Sequence, residues 1–362
     1  MSAVGTGFRP WLAAVAGCVL VATAGPAAAY PRPGGTEWVS VRPSGLAGAA
    51  SGVGAISGHG RFVVFQSTAA LVPEDSNGLE DVFLRDRVLG TLDRASVATG
   101  GGQGTGSSIG AAVSGDGRFV VFHSTAPDLA PGNTNGTDLD VFLHDREAGT
   151  TEMVSVTPAG TSGNSISYFG AMSADGRFVA FQSFASDLVP GDTNGSVDVF
   201  VRDREAGTTQ RVSVGPGGLQ ADDGSATAGI SADGRLVSFQ SLAANLVTGD
   251  GNAAWDVFVH DRETATTERV SVSSAGQEGN ERSLAPRITP DGRHVAFSSF
   301  ASNLVPADRN ETDDAFVHDR TTGITERVSV ASSGAEGNLG SSVPAISADR
   351  SEERRVGKEC AD

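Results

Sequence analysis

The chain has 362 residues, with 43 acidic against 26 basic side chains and a formal charge of −17. Such a surface repels phosphate backbones, which argues against nucleic acid as a partner. The two cysteines, Cys18 and Cys360, lie outside the repeats described below, so the body of the chain offers no disulfide, no thiolate zinc site and no cysteine nucleophile.

Residues 1–29 have the layout of an export signal. Arg9 precedes an apolar run over 11–24 that is short for a bilayer span, and Ala27, Ala28 and Ala29 offer small residues for cleavage before Tyr30. The run Val15-Ala16-Gly17-Cys18 also fits a lipoprotein processing box, a weaker alternative because apolar sequence continues past the cysteine. Either reading takes the protein out of the cytoplasm.

Residues 36–41 match the end of a unit whose beginning is missing. Complete units follow, each marked by Asp-Gly-Arg at Asp116, Asp175, Asp233 and Asp291, with His59 opening the first copy and Asp349 the last. The marks fall every 57–59 residues, the signature of one supersecondary unit that buries its apolar face only against its neighbours. Each unit is expected to hold four strands. A short apolar piece leads into the Asp-Gly turn; a Phe- and Val-rich strand follows; a polar loop leads to a DVFVRD-like strand; a last alternating strand ends near Val-Ser-Val. Thirteen of the 17 phenylalanines fall in the two middle strands, where they are expected to pack unit against unit.

Four short antiparallel strands per unit, arranged radially, predict an all-β chain folded as a β-propeller. The units span 53–97, 109–156, 169–214, 228–272 and 286–330. Residues 344–349 open a sixth that 36–41 would complete, so that an N-terminal strand latches the ring and removes exposed sheet edges. The prediction is six blades, with seven as the alternative. Residues 350–362 break the pattern within one residue of Asp349. They contain the chain's only lysine, Lys358, and resemble a translated library adapter, so the tail is expected to be non-native and the last blade truncated.

The units SADGRFVAFQS, SADGRLVSFQS and TPDGRHVAFSS resemble the bacterial TolB-like, WD40-like (PD40) propeller repeat family over residues 36–349. The resemblance implies an exported propeller used for protein contacts or as a scaffold beside a catalytic domain. The Trp-Asp signature of eukaryotic WD40 blades is absent, and Ser173–Arg177 departs from the sialidase Asp box.

The polar loop before each third strand is the best candidate site. It presents Asp75, Asn77 and Asp81; Asn133, Asn135 and Asp140; Asp192, Asn194 and Asp198; Asp250, Asn252 and Asp256; and Asp308, Asn310 and Asp314. Oxygen donors at alternate positions suit calcium, with carbonyls and water completing the shell; the same residues also close Asx-turns. The Asp-Arg pair after each third strand, such as Asp203-Arg204, is expected to form a hairpin ion pair. His144, His260 and His318 stand where Arg85 and Arg202 stand in other units, which predicts a polar, solvated position. The connections 99–108, 158–168, 215–227 and 273–284 vary most. Tyr168, Gln220, Asp222, Asp223, Glu281 and Arg282 are expected to be singular there and to serve recognition.

No nucleophile elbow, P-loop or zincin motif occurs. Three functions are therefore expected in order: a non-enzymatic scaffold for a protein or envelope polymer, with no cofactor beyond calcium; the propeller portion of a secreted hydrolase; and a calcium-stabilised module.

Overall fold

The structure, a computed structural model, describes residues 39–40, 51–342 and 344–347. The export segment, most of the strand 36–41, residues 348–349 and the tail 350–362 lie outside the described residues. The latching of the ring is therefore not among the features below.

Twenty strands form five four-stranded antiparallel sheets, each a simple meander. The first blade comprises Ser51–Ile56, Phe62–Ser67, Asp81–Asp86 and Thr91–Arg94. The second comprises Ser108–Val113, Phe119–Ser124, Asp140–Asp145 and Thr150–Met153. The third runs through Ser167–Met172, Phe178–Ser183, Asp198–Asp203 and Thr208–Arg211. The fourth runs through Ser225–Ile230, Leu236–Ser241, Asp256–Asp261 and Thr266–Arg269, and the fifth through Ser283–Ile288, His294–Ser299, Asp314–Asp319 and Ile324–Arg327. First strands of successive blades touch one another, which puts them at the axis and the fourth strands at the rim. The fold is a β-propeller. The fourth strands are shorter than expected, because Val97, Val156, Val214, Val272 and Val330 leave the sheet to bridge to the next connection.

The core lies between the blades, as the phenylalanine pattern requires. One cluster joins Phe62, Val64 and Leu84 of the first blade to Phe122 and Phe142 of the second; similar clusters join each later pair. Within each blade the two middle strands align their phenylalanines, as at Phe181–Phe200, with ring centroids 5.7 Å apart. Val39 packs on the first blade's cluster around Phe65, Phe83 and Leu92.

The Asp-Gly turns work as the sequence implies. Gly117 has φ +81°, and a Cβ there would strike Phe62 of the preceding blade at 2.0 Å, so glycine is required twice over. The Asp-Arg pairs do not. Asp145 receives a bidentate pair from Arg118 of the Asp-Gly-Arg turn (2.6 Å at the closest), not from its neighbour Arg146. Arg146 instead donates to the Gly117 carbonyl and lies over the Phe62 ring, 5.3 Å from its centroid. Arg204 over Phe119 and Arg262 over Phe178 repeat this contact, so the second residue of the motif is a link between blades.

The histidine expectation also fails. His144, His260 and His318 are buried, and each Nδ1 sits 2.9 Å from a threonine hydroxyl on the adjoining fourth strand. Third strands are covered on both faces. The arginine at this position in the third blade escapes by reaching out to the Gly207 carbonyl, which a histidine is too short to do.

Candidate functional site

A meander puts the loop between second and third strands on the same ring face as the connection to the next blade. Hydrogen bonds tie the two together on that face. Gln103 Nε2 donates to Asp75, and Gln220 Nε2 to Asp192, at 3.1 and 2.9 Å. Gln220 is thus the repeat partner of Gln103. Ser162, Glu278 and Glu336 occupy the same place in the other blades, where each accepts loop backbone N–H groups. Asp222 is not singular either: it clamps Ala244 N as Asn164 clamps Ser186 N and Asn280 clamps Ser302 N.

The fifteen predicted loop residues divide by role. The first residue of the third strand, Asp81, Asp140, Asp198, Asp256 or Asp314, is almost fully buried and accepts a serine hydroxyl from the segment after the fourth strand. The asparagines Asn77, Asn194, Asn252 and Asn310 use Oδ1 to accept the backbone N–H two residues on, and Nδ2 to donate to the next connection's carbonyl. They are Asx-turn formers. Asn135 keeps the donor half of this arrangement, to Gly163 O, and Asn133 donates to Asp140.

Between the carboxylates lies a cation that the loop pattern did not disclose: an arginine from the end of the fourth strand. Arg94 Nη1 is 3.9 Å from Asp75 and 4.0 Å from Asp81; Arg211 Nη1 is 3.5 Å from Asp192 and 3.7 Å from Asp198. Arg269 lies 3.5 Å from both Asp250 and Asp256, and Arg327 lies 3.3 Å from Asp308 and 3.2 Å from Asp314. In these last two blades a third carboxylate joins, with Glu278 and Glu336 each 2.6 Å from the guanidinium. The second blade breaks the pattern in concert: Met153 replaces the arginine, Asn133 the first aspartate and Ser162 the glutamine.

The electrostatics follow the charge count. Burial raises the carboxyls of Asp81, Asp192, Asp198 and Asp256. Asp250 and Asp308 are pushed to about 6, first by burial and also by the crowding of negative charge. Three carboxylates around one arginine leave each of these two sites negative. Among the described residues these are the groups of three acidic side chains, Asp250, Asp256 and Glu278 and then Asp308, Asp314 and Glu336, whose oxygens converge within 4.8 Å.

A second feature lies on the axis. A cavity of about 330 Å³ is lined by residues from four blades, including His123, Tyr168, Phe169, Gln182, Thr227 and Arg287. The His123 and Tyr168 rings meet edge to face at 5.7 Å. Burial draws His123 down to about 4, so the ring is neutral at ordinary pH.

No family model matches the chain, and no curated protein does. Solved structures that resemble it include a putative TolB from Agrobacterium tumefaciens, at 17% identity over 77% of this chain and 80% of that one, with a TM-score of 0.46. TolB from Acinetobacter baumannii is similar at 16% identity over 76% of this chain and 53% of that one, TM-score 0.44. The β-propeller domain of the Trilobed protease from Pyrococcus furiosus is similar at 10% identity over 79% and 71%, TM-score 0.45. The chain thus spans from half to four fifths of the lengths of these proteins.

Proposed function

We propose that the chain is an exported, TolB-like propeller that acts as a non-enzymatic scaffold, binding a protein or envelope polymer through the face that carries the carboxylate loops. The observation that supports this is where the repeat gives way to apolar side chains on that face. At the residue following each second strand, the first two blades carry Thr68 and Thr125, whereas the next three carry Phe184, Leu242 and Phe300. Phe184 is 48% exposed and Leu219, on the neighbouring connection, 57%. Apolar side chains held outward on a rigid ring mark contact surfaces. The regularly repeated titratable groups on this face are engaged in turns and ion pairs, which favours binding over catalysis.

The test is site-specific photocrosslinking in a bacterial host. Crosslinkers at Phe184, Leu219 and Phe300 are expected to capture one envelope component, and crosslinkers at Leu89 and Glu205 on the opposite hairpins none. Capture from both faces alike, or hydrolysis of peptide or glycan substrates by the purified chain, would defeat the proposal.

The two acidic triads favour a second reading, in which calcium stiffens the rim of the fourth and fifth blades. Millimolar calcium is then expected to raise Tm, chelator to reverse it, and the double variant Glu278→Gln with Glu336→Gln to abolish the difference. A Tm indifferent to both additions would leave arginine as the rim's cation in those blades.

A further inference from the structure

The axial cavity is built where the ring's internal repetition fails. At three blade junctions a second-strand glutamine accepts a backbone N–H from the first strand of the next blade. Gln66 takes Gly110 N at 2.9 Å, Gln182 takes Thr227 N at 2.7 Å and Gln240 takes Ala285 N at 2.8 Å. Between the second and third blades the glutamine is replaced by His123. Its Nδ1 is buried without a hydrogen-bond partner, and the residue facing it across the gap is aromatic, Tyr168.

Across the axis, the fifth blade contributes Arg287. Strand register puts it where the other blades have Ala55, Ala112, Ala171 and Gly229, all too small to project into the cavity. Its Nη1 donates to the Pro286 carbonyl, and no carboxylate among the described residues lies within 4.0 Å of it. The contrast with the repeat arginines is sharp, since Arg118, Arg177 and Arg235 each hold an aspartate at 2.6–2.8 Å. In a chain with a formal charge of −17, an arginine without an acidic partner is a feature of the cavity and not of the composition. Arg287 is open to the solvent of the cavity, and no charged group nearby offsets the partial desolvation that draws its guanidinium below the usual range. Thr227, on the cavity wall, sits at φ +58°, as do its repeat partners Gly110 at +62° and Ala285 at +53°, so this left-handed turn belongs to the glutamine clamp.

We infer that the axial cavity binds an organic carboxylate with a ring body, its carboxylate on Arg287 and its ring against the wall formed by His123, Tyr168 and Phe169. The guanidinium fork matches a carboxylate in two-pronged fashion, and the volume suits a small molecule or the terminal residue of a chain. This site faces the axis and stands apart from the rim loops and from the scaffold reading above.

The experiment uses the full chain and ligand-detected NMR titration. The probes are benzoate, cyclohexanecarboxylate and N-acetylphenylalanine, the last standing for a peptide's free terminus, each beside its neutral amide, with acetate as the acid that lacks a ring. At least one acid is expected to bind roughly tenfold or more tightly than its amide. That preference is expected to vanish in Arg287→Ala, which installs the residue other blades carry and so preserves the fold, and to survive in part in Arg287→Lys. Tyr168→Ala is expected to weaken the ring acid while leaving acetate unaffected. Tightest binding by N-acetylphenylalanine assigns the site to chain termini; tightest binding by the free acids assigns it to small metabolites. Absence of binding by every acid, equal binding of acid and amide, or unchanged binding in Arg287→Ala would each overturn the inference.

Discussion

Asp140 shows how much one substitution alters a repeated site. Its counterparts face an arginine; Asp140 faces Met153, is fully buried, and is pushed up to about 6 chiefly by desolvation. The folded state therefore holds a proton that the unfolded chain releases near 3.8. Stability from this group is complete below about pH 4 and is lost as pH rises through about 6, a swing of at most ~3 kcal/mol. Asp140→Asn should flatten that part of the stability–pH curve and raise Tm at pH 7.5, as read by thermal melts across pH 4–8. Asp203 behaves in the opposite sense. Arg177 holds it down at about 2, so its contribution is present above about pH 4 and disappears as pH falls through 2. The carboxylates and asparagines of these loops were legible from their spacing. The arginine between the carboxylates was not, because it arrives on a different strand 13 residues after Asp81, Asp198, Asp256 and Asp314. A signal did exist within the chain: the blade that has Met153 also has Asn133, so the charges vary together.

At the scale of the strand, the phenylalanine pattern carried nearly everything. Both middle strands of each described blade lie where the phenylalanines fall, since their apolar text is continuous and both faces are buried. The outer strands were less legible. Their ends depend on where a valine leaves the sheet, and this is decided by the bridge to the next connection. Strand burial also explains why the histidines were misplaced: interchange with arginine suggested solvent, whereas arginine merely reaches past its buried position. Two predictions belong here. Phe239→Ala, at a fully buried ring stacked on Phe258, should cost ~3–5 kcal/mol, seen as a lower urea midpoint with an unchanged slope. Thr227→Gly should raise stability by ~1 kcal/mol, because glycine takes the left-handed conformation without strain. Melting curves would check it.

For the whole molecule, the relevant unit is the interface between blades. Val113, Met172, Ile230 and Ile288 each join the apolar cluster shared with the preceding blade. Their counterpart in the first blade, Ile56, is 58% exposed. A bare apolar sheet face favours self-association. Ile56→Ser should reduce light scattering at high protein concentration while leaving Tm nearly unchanged. Unchanged scattering would count against this face as the site of self-association. The missing glutamine clamp between the second and third blades has a further consequence. Among the described junctions this is the one without that clamp, so it should open before the other three under force or denaturant. Any small molecule lodged at the hub beside that seam would act as a rivet.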